Sequence, residues 1–237
     1  MIYYSNLYIN NVGINTNLNF KYIIIDEYQD ISEDRYMLAK KVSEKNTAKV
    51  VAVGDDWQSI FSFTGSKIEY TYNFLSYFPT AKILKISKAY RNSRQLIQYT
   101  RDFIMKNSDQ IEKKLISEKE NPYPIKFKLF EDGEEYQKLK ELILKIHQGK
   151  KDSHILILGR TNTIINNMYK DPDLIDDIET KVKYQGYDDL DIDGMTIHKS
   201  KGLTSDEVII IGLNRKFPRP YYGDFWFKEI YKNNISA

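Results

Sequence analysis

Cysteine is absent from the 237 residues, which excludes a disulfide-stapled scaffold and any thiolate metal site. No apolar run approaches the ~20 residues of a membrane-spanning helix, and no signal peptide is visible in the sequence. A soluble, cytoplasmic protein is the expectation. Charge of one sign is lacking too: 35 Lys and Arg oppose 33 Asp and Glu, a net charge of +2 with a pI near 8.4. Composition alone therefore carries no strongly basic footprint of the kind that announces nucleic acid. Internal repeats and low-complexity tracts are missing as well. What remains is a chain long enough for one large or two small domains with a real core.

The densest information lies in FKYIIIDEYQDIS, residues 20–32. Tyr22 to Ile25 form a short, continuous, β-branched run, the pattern of a strand buried on both faces of a parallel sheet. Asp26 and Glu27 follow at its carboxyl end, where ligands sit in open α/β sheets. One acid there can hold Mg²⁺ on a triphosphate, and its neighbour can orient or deprotonate an attacking water. Acidic turns after strands also occur without any such role. A second strand, Val50 to Val53, repeats the plan and empties into Gly54, Asp55, Asp56 and Gln58.

Strand and helix patterns alternate from residue 20 onward. They predict a strand at 21–26, a helix at 33–46, a strand at 49–54, a helix at 66–77, a strand at 82–86 and a helix at 93–107. Residues 1–19 are polar and Asn-rich, with no helical period. Asn121-Pro122-Tyr123-Pro124 is the clearest punctuation, since each proline pushes the residue before it out of helix. Beyond it come a strand at 125–130, a helix at 133–148, a strand at 154–159, a helix at 162–170, and strands near 181–185, 194–198 and 207–213. Such alternation argues an α/β fold with parallel sheets flanked by helices. The acidic stretch from Asp171 to Asp193 reads as a mostly exposed connection.

Four blocks, DEYQD (26–30), GDDWQSIFSFTGS (54–66), AYRNS (89–93) and TIHKSKGL (196–203), occur in this order. With them the chain resembles the superfamily 1 DNA helicases of the UvrD/Rep type, whose DExxQ, GDxxQSIYxFRGA, NYRS and TxHxxKGLEFD blocks follow the same order. The Asp-Trp pair before Gln58 and FIMKNSDQIEKKL at 103–115 suggest the helicase IV branch. The resemblance implies two RecA-like (P-loop NTPase) lobes, with residues 1–120 as the C-terminal part of the first and 121–237 as a second. It also implies an ATP-dependent helicase or translocase acting on single-stranded or partly duplex DNA with ATP and Mg²⁺.

Residue by residue, the resemblance implies that Asp26 coordinates Mg²⁺ and Glu27 activates the hydrolytic water. Gln29 and Asp30 support the loop. Gln58 matches the glutamine that touches the γ-phosphate, and Asp55 either orders the metal site or caps a helical turn. Tyr90 stacks on adenine and Arg91 neutralises charge on the γ-phosphoryl group, the bland alternative being a core tyrosine and a solvated arginine. Phe63 aligns with the aromatic on which a DNA base stacks, against a plain core phenylalanine. Thr196, His198 and Lys201 match the fourth block, with Gly202 permitting close backbone approach and His198 touching single-stranded DNA or relaying between DNA and nucleotide. Only three histidines, far apart and without cysteine, argue against zinc. Lys126, Lys128 and Arg160 carry no assignment, because lysines on exposed strand faces are usually only solvated.

Departures from the family pattern are equally specific. G-x-x-x-x-G-K-[ST], which cradles the β- and γ-phosphates, is missing from the chain, and isolated Gly13 cannot replace it. Thr204 stands where the family has Glu, and Thr64 where it has Arg. The family's large insertion between Arg160 and Met195 is absent. A first lobe lacking its N-terminal part, in a chain cut at both ends and inactive alone, is the resulting expectation. Its alternatives are a non-catalytic nucleic-acid or partner-binding remnant and one half of a split helicase whose phosphate loop is a separate polypeptide.

Overall fold

The computed structural model describes residues 2–10, 19–107, 110–176 and 180–213. Gly13 and Asn214 lie outside them. Contacts divide the chain into two compact units, Met1–Phe127 and Lys128–Ala237. The class is α/β, with the longer strand pairings parallel. Among the described residues no helix is long and apolar enough to cross a membrane.

In the first unit, α1 (Ile2–Asn10) precedes β1 (Tyr22–Ile25), α2 (Glu33–Asn46) and β2 (Lys49–Ala52). A helix forms at Ile2–Asn10 although residues 1–19 show no helical period. It packs on α2 and is tied there by Asn6, whose side-chain amide donates 2.8 Å to the Asp34 carbonyl. Tertiary contact outweighs a weak local pattern here. Acidic Glu33 and Asp34 occupy the first turn of α2, where the helix dipole favours them, and Thr47 closes it in the left-handed conformation at φ 52°.

β1 and β2 pair in parallel, Ile23 beside Val50 and Ile25 beside Ala52. One face, at Ile25 and Ala52, meets the aromatic layer of Tyr28, Tyr36, Tyr70 and Phe74. On the other face Tyr22 and Ile24 are exposed, which corrects the expectation of a strand buried on both sides. The anticipated strand at 82–86 is likewise not formed: Leu84 is 88% and Ile86 82% exposed. An apolar run becomes a strand only where a neighbour offers a free ladder, and among the described residues no strand pairs with it. Residues 125–130 remain irregular for the same reason. The anticipated 66–77 helix is two single turns, α3 (Glu69–Tyr72) and α4 (Phe74–Tyr77), separated at Asn73. The helix α5 (Arg94–Ile104) starts where Ser93 accepts the Leu96 N–H at 3.3 Å.

The second unit contains α6 (Glu135–Gly149), β3 (His154–Gly159), α7 (Asn162–Met168), β4 (Leu174–Asp176), β5 (Val182–Tyr184), β6 (Asp191–Thr196) and β7 (Glu207–Ile210). A parallel sheet runs β6-β3-β7, and its central strand is the almost uniformly apolar HILILG. Ile143, Ile155, Ile157, Met168 and Ile192 form the core around it. The described part of the stretch from Asp171 to Asp193 is largely exposed, as expected, but it is not a plain connection. β4 and β5 pair antiparallel, Leu174 opposite Tyr184, and both enter the core. Several of the acids are paired locally: Lys140 bonds Asp171 and Asp173 at 3.1 and 2.7 Å, Lys181 bonds Asp191 at 2.6 Å, and His154 Nε2 lies 2.8 Å from Asp193 Oδ2. Pairing at the rim leaves Leu174 and Val182 free to bury.

Candidate functional site

The two acidic strand ends of the first unit lie side by side because β1 and β2 are parallel neighbours. The ladder continues past β1, with the Val53 N–H donating to the Ile25 carbonyl at 2.8 Å and the Tyr28 N–H to the Val53 carbonyl at 2.9 Å. Asp26 and Glu27 therefore emerge beside Gly54 and Asp55. Both carboxylates of the first pair are exposed. The Glu27 N–H donates 2.8 Å to Asp26 Oδ1, and the Glu27 backbone sits at φ 50°. A non-glycine residue in that region costs of order 1–3 kcal/mol and persists only where its surroundings impose it; such sites cluster where function is.

Gln29 is what joins the two ends. It is 0% exposed, so its amide must be satisfied internally. Its Oε1 accepts the Asp55 N–H at 2.9 Å, and its Nε2 donates to Glu27 Oε2. Because the carbonyl end is occupied by a backbone donor, the amide is turned so that its NH₂ faces the glutamate. Gly54 makes this possible. A Cβ there would lie 2.8 Å from Gln29 Oε1 and 3.3 Å from Tyr28 Cβ. Sequence reading gave Gln29 only loop support; the spacing within DEYQD marks it, but not its partner 26 residues on.

Asp55 does cap the short turn 56–58, accepting the Trp57 N–H at 3.2 Å, and it also takes the Gln58 side-chain amide at 2.7 Å. Burial pushes the Asp55 carboxyl up, but hydrogen bonds from Lys113 and Gln58 outweigh it and hold the group below the usual aspartate range. Gln58 is exposed. Phe63 is 71% exposed, with its ring 5.9 Å from that of Phe61, so the core alternative does not hold for it. Tyr90 is exposed as well, under the Lys88 ammonium at 5.4 Å from its ring centroid, which removes the core-tyrosine alternative. Arg91 is exposed in the turn before α5. That turn is held by the 116–119 segment through Ser117 Oγ, which donates 2.7 Å to the Asn92 carbonyl.

In the second unit, Thr196 ends β6 and is buried. Its hydroxyl and carbonyl both accept the Lys199 N–H, at 3.4 and 2.9 Å. The turn that follows carries half-buried His198 and Lys201. Gly202 stands at φ 83° with no protein atom near a would-be Cβ. Glycine is needed there for its backbone angle rather than for a close approach. Arg160, named in the sequence but left unassigned, extends from the end of β3 to place Nη1 3.2 Å from His198 Nδ1.

The donors at Asp26 fit a hard cation, since Mg²⁺ is commonly held by one or two carboxylates together with substrate phosphates rather than by an all-protein cage. Clusters of three or more metal-binding side chains are absent among the described residues. Residues 4–79 match the UvrD/REP helicase N-terminal domain family. The chain is 32% identical to DNA helicase IV of Escherichia coli over 82% of its own length and 26% of that protein's. It is 33% identical to the ATP-dependent DNA helicase PcrA of Bacillus subtilis over 60% of the chain and 20% of PcrA. Identity to the ATP-dependent DNA helicase Rep of Buchnera aphidicola is 34%, over 55% of the chain and 20% of Rep. The chain thus spans about a quarter or less of the curated relatives it matches. By this homology the chain is a relative of the UvrD/Rep-type DNA helicases.

Proposed function

We propose that the chain forms part of the motor of an ATP-dependent DNA helicase or translocase acting on single-stranded or partly duplex DNA. The observation that carries this reading is the Glu27–Gln29–Asp55 link, a buried amide that ties an exposed acidic pair to the turn bearing Gln58. In it Asp26 would hold Mg²⁺ on the triphosphate, and the bound ion would supply charge neutralisation on the phosphates. Glu27 accepts the proton of the attacking water, Gln58 orients the γ-phosphate side, and Asp55 fixes Gln58. Tyr90 stacks on the base and Arg91 meets negative charge on the phosphoryl group. Lys201 and Gly202 contribute further nucleotide contacts; Phe63, Thr196 and His198 belong to the DNA path, with Thr196 shaping the turn that presents His198.

A second reading pairs the chain with a separate polypeptide that carries the phosphate loop. Exposed Ile24, Leu84 and Ile86 favour it, since apolar surface of that kind is usually covered by another segment. ATP hydrolysis measured with single-stranded DNA tests both. The chain by itself should turn over negligibly, because no residue in it can replace the phosphate cradle. Mixed with a polypeptide containing G-x-x-x-x-G-K-[ST], it should hydrolyse ATP in a manner dependent on Asp26, Glu27, Gln58 and Arg91. Robust hydrolysis by the chain alone, abolished by Glu27→Gln, would show the cradle to be dispensable. No activity in any mixture would favour a non-catalytic binding protein.

DNA binding is tested at Phe63. Phe63→Ala should weaken single-strand binding by ~1–3 kcal/mol with little preference for base sequence. Because the ring is exposed, the melting temperature should stay within about 2 °C. Fluorescence anisotropy and thermal unfolding on the same pair of proteins decide it. Unchanged anisotropy removes Phe63 from the DNA path.

A further inference from the structure

Asp56 is 3% exposed, which for a carboxylate demands close compensation. That compensation comes from the segment after α5, more than 50 residues away. The Ile111 N–H donates 3.0 Å to Asp56 Oδ2, and the Lys113 ammonium meets Asp56 Oδ1. Trp57 clasps the same segment, its indole N–H donating 3.0 Å to the Ile111 carbonyl while Lys113 lies 5.2 Å from its ring centroid. Arg101 steadies the strap from α5 by a 2.7 Å bond to Glu112.

Lys113 does more than satisfy a buried acid. It also bonds Asp55 Oδ1, leaving Oδ2 for the Gln58 amide. Oδ1 thus takes both the Lys113 ammonium and the Trp57 N–H, the latter at 3.2 Å, while Oδ2 takes the Gln58 amide, so the ammonium adds a charged partner to the backbone one in setting where Oδ2 points. The Asp55 backbone in turn fixes Gln29, which holds Glu27. We infer that Lys113 is a positioning residue: from outside the four sequence blocks it orients Asp55, and through it Gln58 and the Gln29–Glu27 pair, for the hydrolytic step. This rests on the proposed ATPase reading. The rival role is a purely structural one, in which Lys113 only offsets the charge of Asp56.

Lys113→Met alone leaves the Asp56 carboxylate buried with the Ile111 N–H but without its cation and could fail to fold, so it is made both singly and together with Asp56→Asn. The double variant drops both charges while keeping an acceptor for the Ile111 N–H. Two readouts are taken on the full chain: the side-chain amide signals of Gln29 and Gln58 by NMR, and kcat and KM for ATP in the mixture with the phosphate-loop polypeptide. Lys67→Met, which removes an exposed ion pair with Glu33 in the same unit, is the control. The folded double variant should shift the Gln58 amide signals and lower kcat by about 10- to 100-fold with KM within about twofold. The control should do neither. Unmoved amide signals, or moved signals with kcat unchanged, overturn the inference while wild-type hydrolysis leaves the proposed function standing. A wild-type mixture without hydrolysis overturns the function itself, and the positioning role with it.

Discussion

Glu27→Gln should lower DNA-stimulated ATP hydrolysis by about 10²–10⁴-fold and leave nucleotide affinity within about twofold, as expected when a general base is removed but its shape is kept. The substitution is close to isosteric in this setting. An amide at position 27 retains a carbonyl oxygen for the Gln29 NH₂, so the buried bridge to Asp55 survives. The backbone at φ 50° is imposed by the surrounding turn, in which Asp30 N–H returns to the Glu27 carbonyl at 2.9 Å. What disappears is the capacity to accept a proton. Single-turnover hydrolysis and equilibrium binding of a fluorescent nucleotide, measured on the active mixture, separate the two effects. Binding and hydrolysis lost together would place Glu27 in a structural role and leave the base unidentified.

Leu174→Ala should destabilise the second unit by ~2–5 kcal/mol, whereas Leu84→Ala should change stability by less than about 0.5 kcal/mol. Leu174 is 0% exposed and lies in the same core as Ile143 and Ile157; Leu84 is 88% exposed. On hydropathy the ranking would be the reverse. Leu84 sits in an apolar run and Leu174 in an acidic one. Amide exchange at Ile157, in the middle of β3, reports the second unit, and exchange of the Val53 N–H, bonded to the Ile25 carbonyl, reports the first, where Leu84 lies. Equal losses from both substitutions would mean that residues 82–86 are covered in solution, and a silent Leu174→Ala would return Leu174 to the surface.

These two leucines also mark where sequence reading succeeds and fails. The strands β1, β2, β3 and β7 and the helices α2, α5 and α6 were legible because each carries its own period and its own end signals, such as Ser93 before α5 and the acids opening α2. The site was legible to the extent that it is local: Asp26 and Glu27 follow a strand directly, and the order of four short blocks identifies the family. Exposure of Phe63 and Tyr90 was not, since an aromatic side chain reads alike in a core and on a platform. Nor was the helix in residues 2–10, which packs on α2 and is tied to it where Asn6 reaches the Asp34 carbonyl.

What the amino-acid sequence determined by itself is the alternation of strand and helix, the placing of carboxylates at strand ends, and the kinship with UvrD/Rep-type helicases. The tertiary structure alone decided which apolar runs found a partner strand, and that the acidic 171–193 stretch could bury Leu174 once Lys140, Lys181 and His154 had paired with acids around it. It alone joined Glu27 to Asp55 through Gln29, and Asp55 to Lys113 across 58 residues. The physical reason is range. Period and capping act within a few residues and are written in the local pattern, whereas ladder pairing, burial and charge compensation depend on groups that only folding brings together.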